Sequence, residues 1–231
     1  MGRERPPKPD SELGKRYASW ILSPTQVREL RRACRDNGAR LVDDARLLHR
    51  RRRYATAYVL GYFALEELAK ARILIGMQIA VEDGQPINWV QFWTHWKHHE
   101  PKSIGAAQAE HLERTVRSLE TAAEMMLANL IHEGRLPDVV AKAEELRTLR
   151  EAALYVGWSG SLATPASSIT ADLSAEMVAI GVRTLRRQDR LDRGLQEDPT
   201  RVRRIMRTTK VIAETWEAQT KGRAKGSLTD R

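Results

Sequence analysis

Histidines, lysines and tryptophans are concentrated in one short segment of the sequence. The ten residues from Trp93 to Lys102 include three histidines and two lysines. Imidazole exchanges protons near neutral pH and an ammonium group neutralises phosphate charge, so this combination favours chemistry on a phosphate group. A structural or solvent-exposed role for the histidines is the competing interpretation. The His95–His99 spacing would also suit zinc on a helix, but no HExxH pattern and no third ligand accompany it, so we predict no metal site.

Charged residues also interrupt an otherwise apolar segment. Glu66, Glu67 and Lys70 lie at spacings of three and four residues, which lets the carboxylates meet the ammonium group on one face of a helix. A carboxylate removed from water is costly unless it is paired. The simplest interpretation is an internal salt bridge at a helix–helix contact. The alternative is a cleft or dimer interface in which these groups organise a functional site.

Basic residues outnumber acidic ones, with a formal net charge of +9. Four consecutive arginines, Arg50, Arg51, Arg52 and Arg53, precede the apolar segment, and ten lysines or arginines lie within residues 183–210. Such runs are either solvated charge or a surface that attracts nucleic acid or another polyanion. We predict nucleic-acid binding by the four arginines together with His95 and Lys97. The sequence has no RNP motif, zinc finger, Gly-rich phosphate loop or nucleophile elbow.

Helix signals dominate the chain. Ser23-Pro24-Thr25-Gln26 is typical of a capped helix start, and residues 52–80 are apolar on nearly every face, which predicts a central helix. We predict an all-α bundle of five or six helices. Its helices are expected at residues 24–49, 52–80, 106–133, 137–156, 173–193 and 199–218, with a short aromatic helix or loop at 88–102 and a loop at 157–168.

The composition limits the remaining possibilities. One cysteine, Cys34, excludes a disulfide framework and favours a reducing, cytoplasmic compartment. The longest uncharged apolar run covers residues 54–65, which is shorter than the roughly 18 residues that a membrane span needs, and the N-terminus carries no secretory pattern. We expect a flexible basic segment at 1–22, one helical domain at 23–218, a disordered tail at 219–231, no cofactor and no membrane partner.

Three blocks of the sequence resemble the AbiV family of abortive-infection proteins, a branch of the all-α HEPN superfamily. The first block consists of residues 37–41, 44–48, 54–60 and 64–71. It resembles the family core A…L…A.EELGKA, with Ala69 where glycine is common. The second block is the Trp/Phe-rich stretch leading to His99-x-x-Lys102, and the third is Leu154-Tyr155-Val156. The resemblance covers about residues 24–190.

The resemblance implies a HEPN-like homodimer that defends against phage by arresting or killing the infected cell. It also implies a metal-independent endoribonuclease, in which a 2′-hydroxyl attacks the adjacent phosphate while histidine moves the proton and a cation stabilises the charge. On the matched blocks, His99 is the expected general acid–base and Lys102 the phosphate contact. Glu67 and Lys70 are expected to organise the site, and Tyr155 to donate or accept a hydrogen bond. The expected partners are RNA and a phage-encoded activator or a cognate inhibitor protein.

The chain departs from the superfamily at one motif. HEPN ribonucleases usually have an arginine followed by four to six residues and a histidine, and no histidine of this chain has an arginine at that distance before it. Either another cation replaces that arginine, or the domain binds RNA, the ribosome or a partner protein without cutting RNA. A third interpretation is an unrelated helical adaptor or regulator.

Overall fold

A computed structural model describes residues 11–97, 136–158, 161–200, 203 and 204, with side chains except at 95, 97, 136–143 and 158. Seven helices and two short strands lie within these residues, and the predicted all-α class is confirmed. The elements are α1 (Glu12–Ser19), α2 (Pro24–Arg50), α3 (Tyr54–Glu82), α4 (Trp89–Lys97), α5 (Leu136–Leu154), β1 (Gly157–Trp158), β2 (Leu162–Ala163), α6 (Pro165–Ser168) and α7 (Ala171–Glu197).

The start of α2 is the capping box that the sequence predicts. Ser23 Oγ accepts a hydrogen bond from Gln26 N at 3.3 Å, and Gln26 Oε1 accepts one from Ser23 N at 2.9 Å. Pro24 occupies the first helical position, where its missing N–H costs nothing. These local interactions explain why the helix begins where the sequence indicates.

The α3 helix is the centre of the bundle, as its apolar sequence predicts. It packs against α2, α5 and α7, and its residues contribute to both large hydrophobic clusters. One cluster joins α3 to α5 and α7, and includes Tyr58, Tyr62, Leu65, Leu146 and Met177. The other joins α3 to α1, α2 and α4, and includes Tyr17, Val27, Leu74, Phe92 and Trp93.

Glycines allow α2, α3 and α7 to approach one another closely. A Cβ at position 38 would lie 2.8 Å from Leu68 Cγ, and a Cβ at position 61 would lie 2.7 Å from Met177 Cγ. A Cβ at Gly181 would lie 3.2 Å from a Val42 methyl group. Each pair among the three helices therefore has a glycine at its contact. Close packing of the bundle offsets the loss of helix propensity at these positions.

Two predicted irregular segments contain regular structure. Residues 12–19, within the predicted N-terminal segment, form α1, which Ser11 caps by accepting a hydrogen bond from Gly14 N at 3.1 Å. Tyr17 anchors this helix because its side chain is buried against the rest of the fold. The predicted loop at 157–168 contains the antiparallel β1–β2 pair and α6.

The end of α3 and the start of the helix at Pro199 agree with the sequence prediction, whereas α7 (Ala171–Glu197) is longer than the predicted helix at 173–193. Gly84 has a φ of 66° just after α3, in the turn predicted from Asp83-Gly84-Gln85-Pro86. Four described residues of the helix predicted from Pro199 onwards are helical, which fits that predicted start. They are Pro199, Thr200, Arg203 and Arg204. The predicted helix at 106–133, most of the one at 199–218 and the predicted tail at 219–231 lie outside the described residues. None of the described helices combines the length and apolar character needed to cross a membrane.

Candidate functional site

The four consecutive arginines form an exposed turn between α2 and α3. Arg50 ends α2, and Arg51, Arg52 and Arg53 lead directly into α3. Arg53 N donates to Leu48 O and Arg52 N donates to His49 O, both at 2.9 Å. This is the Schellman arrangement that ends many helices. We call residues 50–53 the arginine turn.

Arg52 occupies the position of this motif that glycine usually fills. Its φ is 59°, in the left-handed region that costs a side chain with a Cβ roughly 1 kcal/mol or more. The equivalent position after α3 is Gly84, with a φ of 66°. The chain therefore keeps an arginine where a glycine would be less strained, and such local strain is often found at functional sites.

The arginine turn carries concentrated positive charge. All four arginines are exposed, and none forms an ion pair with an acidic residue in the ranges that the structure describes. The neighbouring Arg46, by contrast, lies 3.5 Å from Asp43. A guanidinium group can bind two phosphate oxygens at once, so four such groups on one turn form a strongly anion-attracting surface.

His49 lies at the base of the arginine turn and contacts α7. Its Nδ1 atom is 3.1 Å from Ser174 Oγ, and its ring centroid is 5.5 Å from that of Tyr54. Ser174 has no exposed surface. His49 is not among the residues predicted from the sequence, because nothing in the sequence indicates that a residue 125 positions away supplies its partner.

Glu67 and Lys70 form the ion pair that their spacing predicts. The Lys70 ammonium group contacts the Glu67 carboxylate and lies 5.5 Å from the centroid of the Trp96 ring. Less than a fifth of each charged side chain is exposed. The pair therefore connects α3 to α4, which agrees with the interpretation as a salt bridge at a helix–helix contact.

Glu66 belongs to a different contact. Its carboxylate is 4.0 Å from an Arg150 guanidinium nitrogen of α5, and its side chain is only 7% exposed. The same guanidinium group lies 5.1 Å from the centroid of the Tyr62 ring. Arg150 was not predictable from the sequence, because its pairing with α3 depends on how α5 packs. The adjacent residues Glu66 and Glu67 thus take part in two different helix–helix contacts, that of α3 with α5 and that of α3 with α4.

The structure describes the remaining predicted site residues only in part. His95 and Lys97 lie on α4, and only their backbone is described. Tyr155 follows α5 and is 67% exposed, without a side-chain hydrogen bond to the described part of the chain. His99 and Lys102 lie outside the described residues. The assembly of His99, Lys102, Glu67, Lys70 and Tyr155 into one site therefore stays a prediction.

Two acids of the basic C-terminal segment pair with α2. Asp189 accepts hydrogen bonds from the Arg35 guanidinium group at 2.7 and 3.0 Å, which raises the pKa of Arg35 together with a hydrogen bond to Asp36. Asp192 contacts Arg31. Burial raises the pKa of Asp192 despite the opposing influence of Arg31 and Gln188. These pairs join α2 to α7 and leave fewer acids to offset the arginines of the segment.

Arg72 carries a half-buried charge on α3. No hydrogen bond or ion pair joins its guanidinium group to the described residues. Burial and the neighbouring charge of Arg187 lower the pKa of Arg72 to about 10. Among the residues described, no group of three or more histidine, cysteine or acidic side chains is arranged to hold a metal ion.

Comparison with known protein families agrees with this architecture. A family model described as HEPN_AbiV, AbiV, matches residues 26–185, which is more than half of the chain. The match spans the arginine turn, His49, Ser174 and the Glu67–Lys70 pair. No curated protein and no solved structure matches the chain.

Proposed function

The chain belongs to the AbiV family of HEPN proteins, and on this premise we propose that it is an abortive-infection effector acting on RNA as a metal-independent endoribonuclease. The observation that carries the proposal is the arginine turn, with four exposed guanidinium groups that form no ion pair within the described part of the chain. A positive surface of this kind attracts the RNA backbone and binds it independently of sequence.

The proposed chemistry needs no metal ion. An RNA 2′-hydroxyl attacks the adjacent phosphate, a histidine moves the proton, and a cation stabilises the negative charge on the phosphate oxygens. His99 and Lys102 are the predicted proton-transfer and phosphate-binding residues. The Glu67–Lys70 pair anchors α4, which leads towards them along the chain, so its role in this proposal is to position that segment.

RNA binding is tested with two double variants of equal charge. Arg51→Ala with Arg53→Ala removes two cations from the arginine turn. Arg40→Ala with Arg147→Ala removes two arginines that already contact acids. Fluorescence anisotropy with a labelled single-stranded RNA should show weaker binding only for the first variant. The slope of its logarithmic salt dependence should fall by about 0.7 for each phosphate that is no longer neutralised. Equal effects of both variants would show that net charge, and not the turn, governs binding.

Cleavage is tested by incubating purified protein with total cellular RNA in EDTA, alone and with extract of infected cells. The wild type should produce 2′,3′-cyclic phosphate ends, and His99→Ala should not. Cleavage that depends on added metal would contradict the mechanism. Full activity of His99→Ala would contradict the assignment of His99 while leaving the nuclease function intact.

A non-catalytic role is the second candidate function. The absence of the Arg-x4–6-His pattern favours it, since the usual HEPN catalytic pair is missing from the sequence. In that case the protein binds RNA, the ribosome or a partner protein and arrests growth without cutting RNA. Binding that depends on the arginine turn, with no cleavage even in infected-cell extract, would identify this alternative.

We also propose that the protein is a homodimer, as its resemblance to HEPN proteins implies. Four apolar residues are exposed around the end of α5 and the β1–β2 pair. They are Leu154 (41%), Tyr155 (67%), Val156 (68%) and Leu162 (62%). Exposed apolar residues grouped in this way favour a protein contact. Sedimentation equilibrium should give the mass of two chains, and Val156→Asp should shift the distribution towards one chain. An unchanged dimer in Val156→Asp would place the interface elsewhere.

A further inference from the structure

We propose that His49 is a proton-transfer residue for RNA cleavage at the arginine turn, an inference that rests on the proposed RNA-directed function. Within the described structure, this histidine is the residue immediately before the arginine turn. Arg50 follows it in sequence, and the backbone N–H of Arg52 donates to its carbonyl oxygen at 2.9 Å. The proposal places a phosphate held by the turn next to this imidazole.

The His49 ring is held from two sides. Ser174 Oγ lies 3.1 Å from Nδ1, and the Tyr54 ring packs at a centroid distance of 5.5 Å with an interplanar angle of 50°. Ser174 is fully buried in the first turn of α7, where its N–H donates to Thr170 O at 3.1 Å. The Nε2 atom makes no hydrogen bond to the described residues, and the side chain is only partly buried. The ring thus has a fixed orientation and one nitrogen available to a substrate.

The hydroxyl partner suits a group that both takes and returns a proton. Ser174 Oγ can accept a hydrogen bond from a protonated Nδ1 or donate one to an unprotonated Nδ1. Nε2 can accordingly act as an acceptor in one tautomer and as a donor in the other. A carboxylate or carbonyl partner would favour only one of these forms of neutral imidazole.

The proposed step transfers one proton and exchanges one bond to phosphorus. Nε2 removes the proton of the RNA 2′-hydroxyl, and the 2′-oxygen forms a bond to the adjacent phosphorus. The bond from phosphorus to the 5′-oxygen breaks, and the leaving oxygen takes a proton from water. The imidazolium then returns its proton to the hydroxide that remains. The products are a 2′,3′-cyclic phosphate and a 5′-hydroxyl, and the arginines stabilise the negative charge on the phosphate oxygens during the transfer.

The test compares His49→Asn with His99→Ala and the wild type, using one defined RNA in EDTA with and without infected-cell extract. An asparagine amide can retain a hydrogen bond to Ser174 Oγ but cannot transfer the proton. We expect cleavage by His49→Asn to fall by about 100-fold or more, with the RNA affinity and melting temperature unchanged. His49→Ala serves as a second variant if the amide disturbs packing around Tyr54.

The possible results distinguish a failure of the His49 proposal from a failure of the proposed RNA-directed function. Loss of cleavage in His49→Asn with normal RNA binding supports His49 as a proton-transfer residue. If His99→Ala also loses cleavage, His99 is a second proton-transfer residue. Full cleavage by a folded His49→Asn overturns the proposal while the nuclease function stands. Wild-type binding without cleavage under either condition also overturns it and leaves the non-catalytic function. Absence of both binding and cleavage overturns the two proposals together.

Discussion

Gly38 of α2 lies directly against Leu68 of α3, where a Cβ atom at position 38 would be 2.8 Å from Leu68 Cγ and 3.4 Å from Ala64 O. We expect Gly38→Ala to lower the free energy of unfolding by about 1–3 kcal/mol, because the helices must separate. This is opposite in sign to the gain of about 1 kcal/mol that alanine brings within an unconstrained helix. Urea denaturation of both proteins measures the difference.

A second substitution, on α3, tests whether contact with Leu68 causes the loss of stability in Gly38→Ala. Leu68→Ala removes the side chain that blocks position 38, so the double variant should be more stable than the sum of the two single effects predicts. Additive effects would show that Gly38 is needed for a reason other than its contact with Leu68.

The left-handed conformation of Arg52 predicts a gain in stability when this residue is replaced. Arg52→Gly should raise the free energy of unfolding by about 0.5–1 kcal/mol and weaken RNA binding. Gly84→Arg is the matched reverse change, at a φ of 66° with open space around the position, and should lower stability by a similar amount. Chemical denaturation and RNA anisotropy measure the two properties. A destabilised Arg52→Gly protein would mean that the arginine side chain supports the turn.

The half-buried charge of Arg72 should lower the stability of the bundle. Arg72→Met keeps a long side chain without the charge, and should raise the free energy of unfolding at pH 7 by about 1–3 kcal/mol. The folded-state pKa of Arg72 is lowered to about 10, below that of an arginine in the unfolded chain. Its stability contribution is therefore greatest above the pKa of an arginine in the unfolded chain and is lost as the pH falls through about 10.

The advantage of Arg72→Met should accordingly shrink when both proteins are unfolded at about pH 10.5, because part of the charge is then absent from the folded wild type. A destabilised Arg72→Met protein at pH 7 would show that the guanidinium group has a favourable partner in the bundle.

Two arginines on α5 should differ in their importance for folding. Arg150 lies beside the buried Glu66 carboxylate and the Tyr62 ring, whereas Arg147 pairs with Glu144 and Glu151 at the surface. Arg150→Met should lower the free energy of unfolding by about 2–4 kcal/mol, because it leaves Glu66 buried without this cation. Arg147→Met should leave stability nearly unchanged. Similar thermal shifts for the two variants would contradict the difference in burial.

The helices of this protein follow from local properties of the sequence. The start of α2 depends on Ser23, Pro24 and Gln26, which contact one another within four residues, and the central place of α3 depends on its lack of a polar face. The Glu67–Lys70 pair is equally local, because residues three apart meet on any helix. Such features need only the chain near them, so they are predictable from sequence.

The groupings across helices depend on the packing of the whole bundle. His49 meets Ser174, Glu66 meets Arg150, and Arg35 meets Asp189, each across a large separation in sequence. No periodicity or motif encodes such a pairing, since it arises only when α2, α5 and α7 take their places around α3. The sequence alone thus determined the helical fold, the family and a cluster of positive charge. Only the tertiary structure decided which of the described arginines pair with acids of another helix, because that depends on which acids the packing brings within reach.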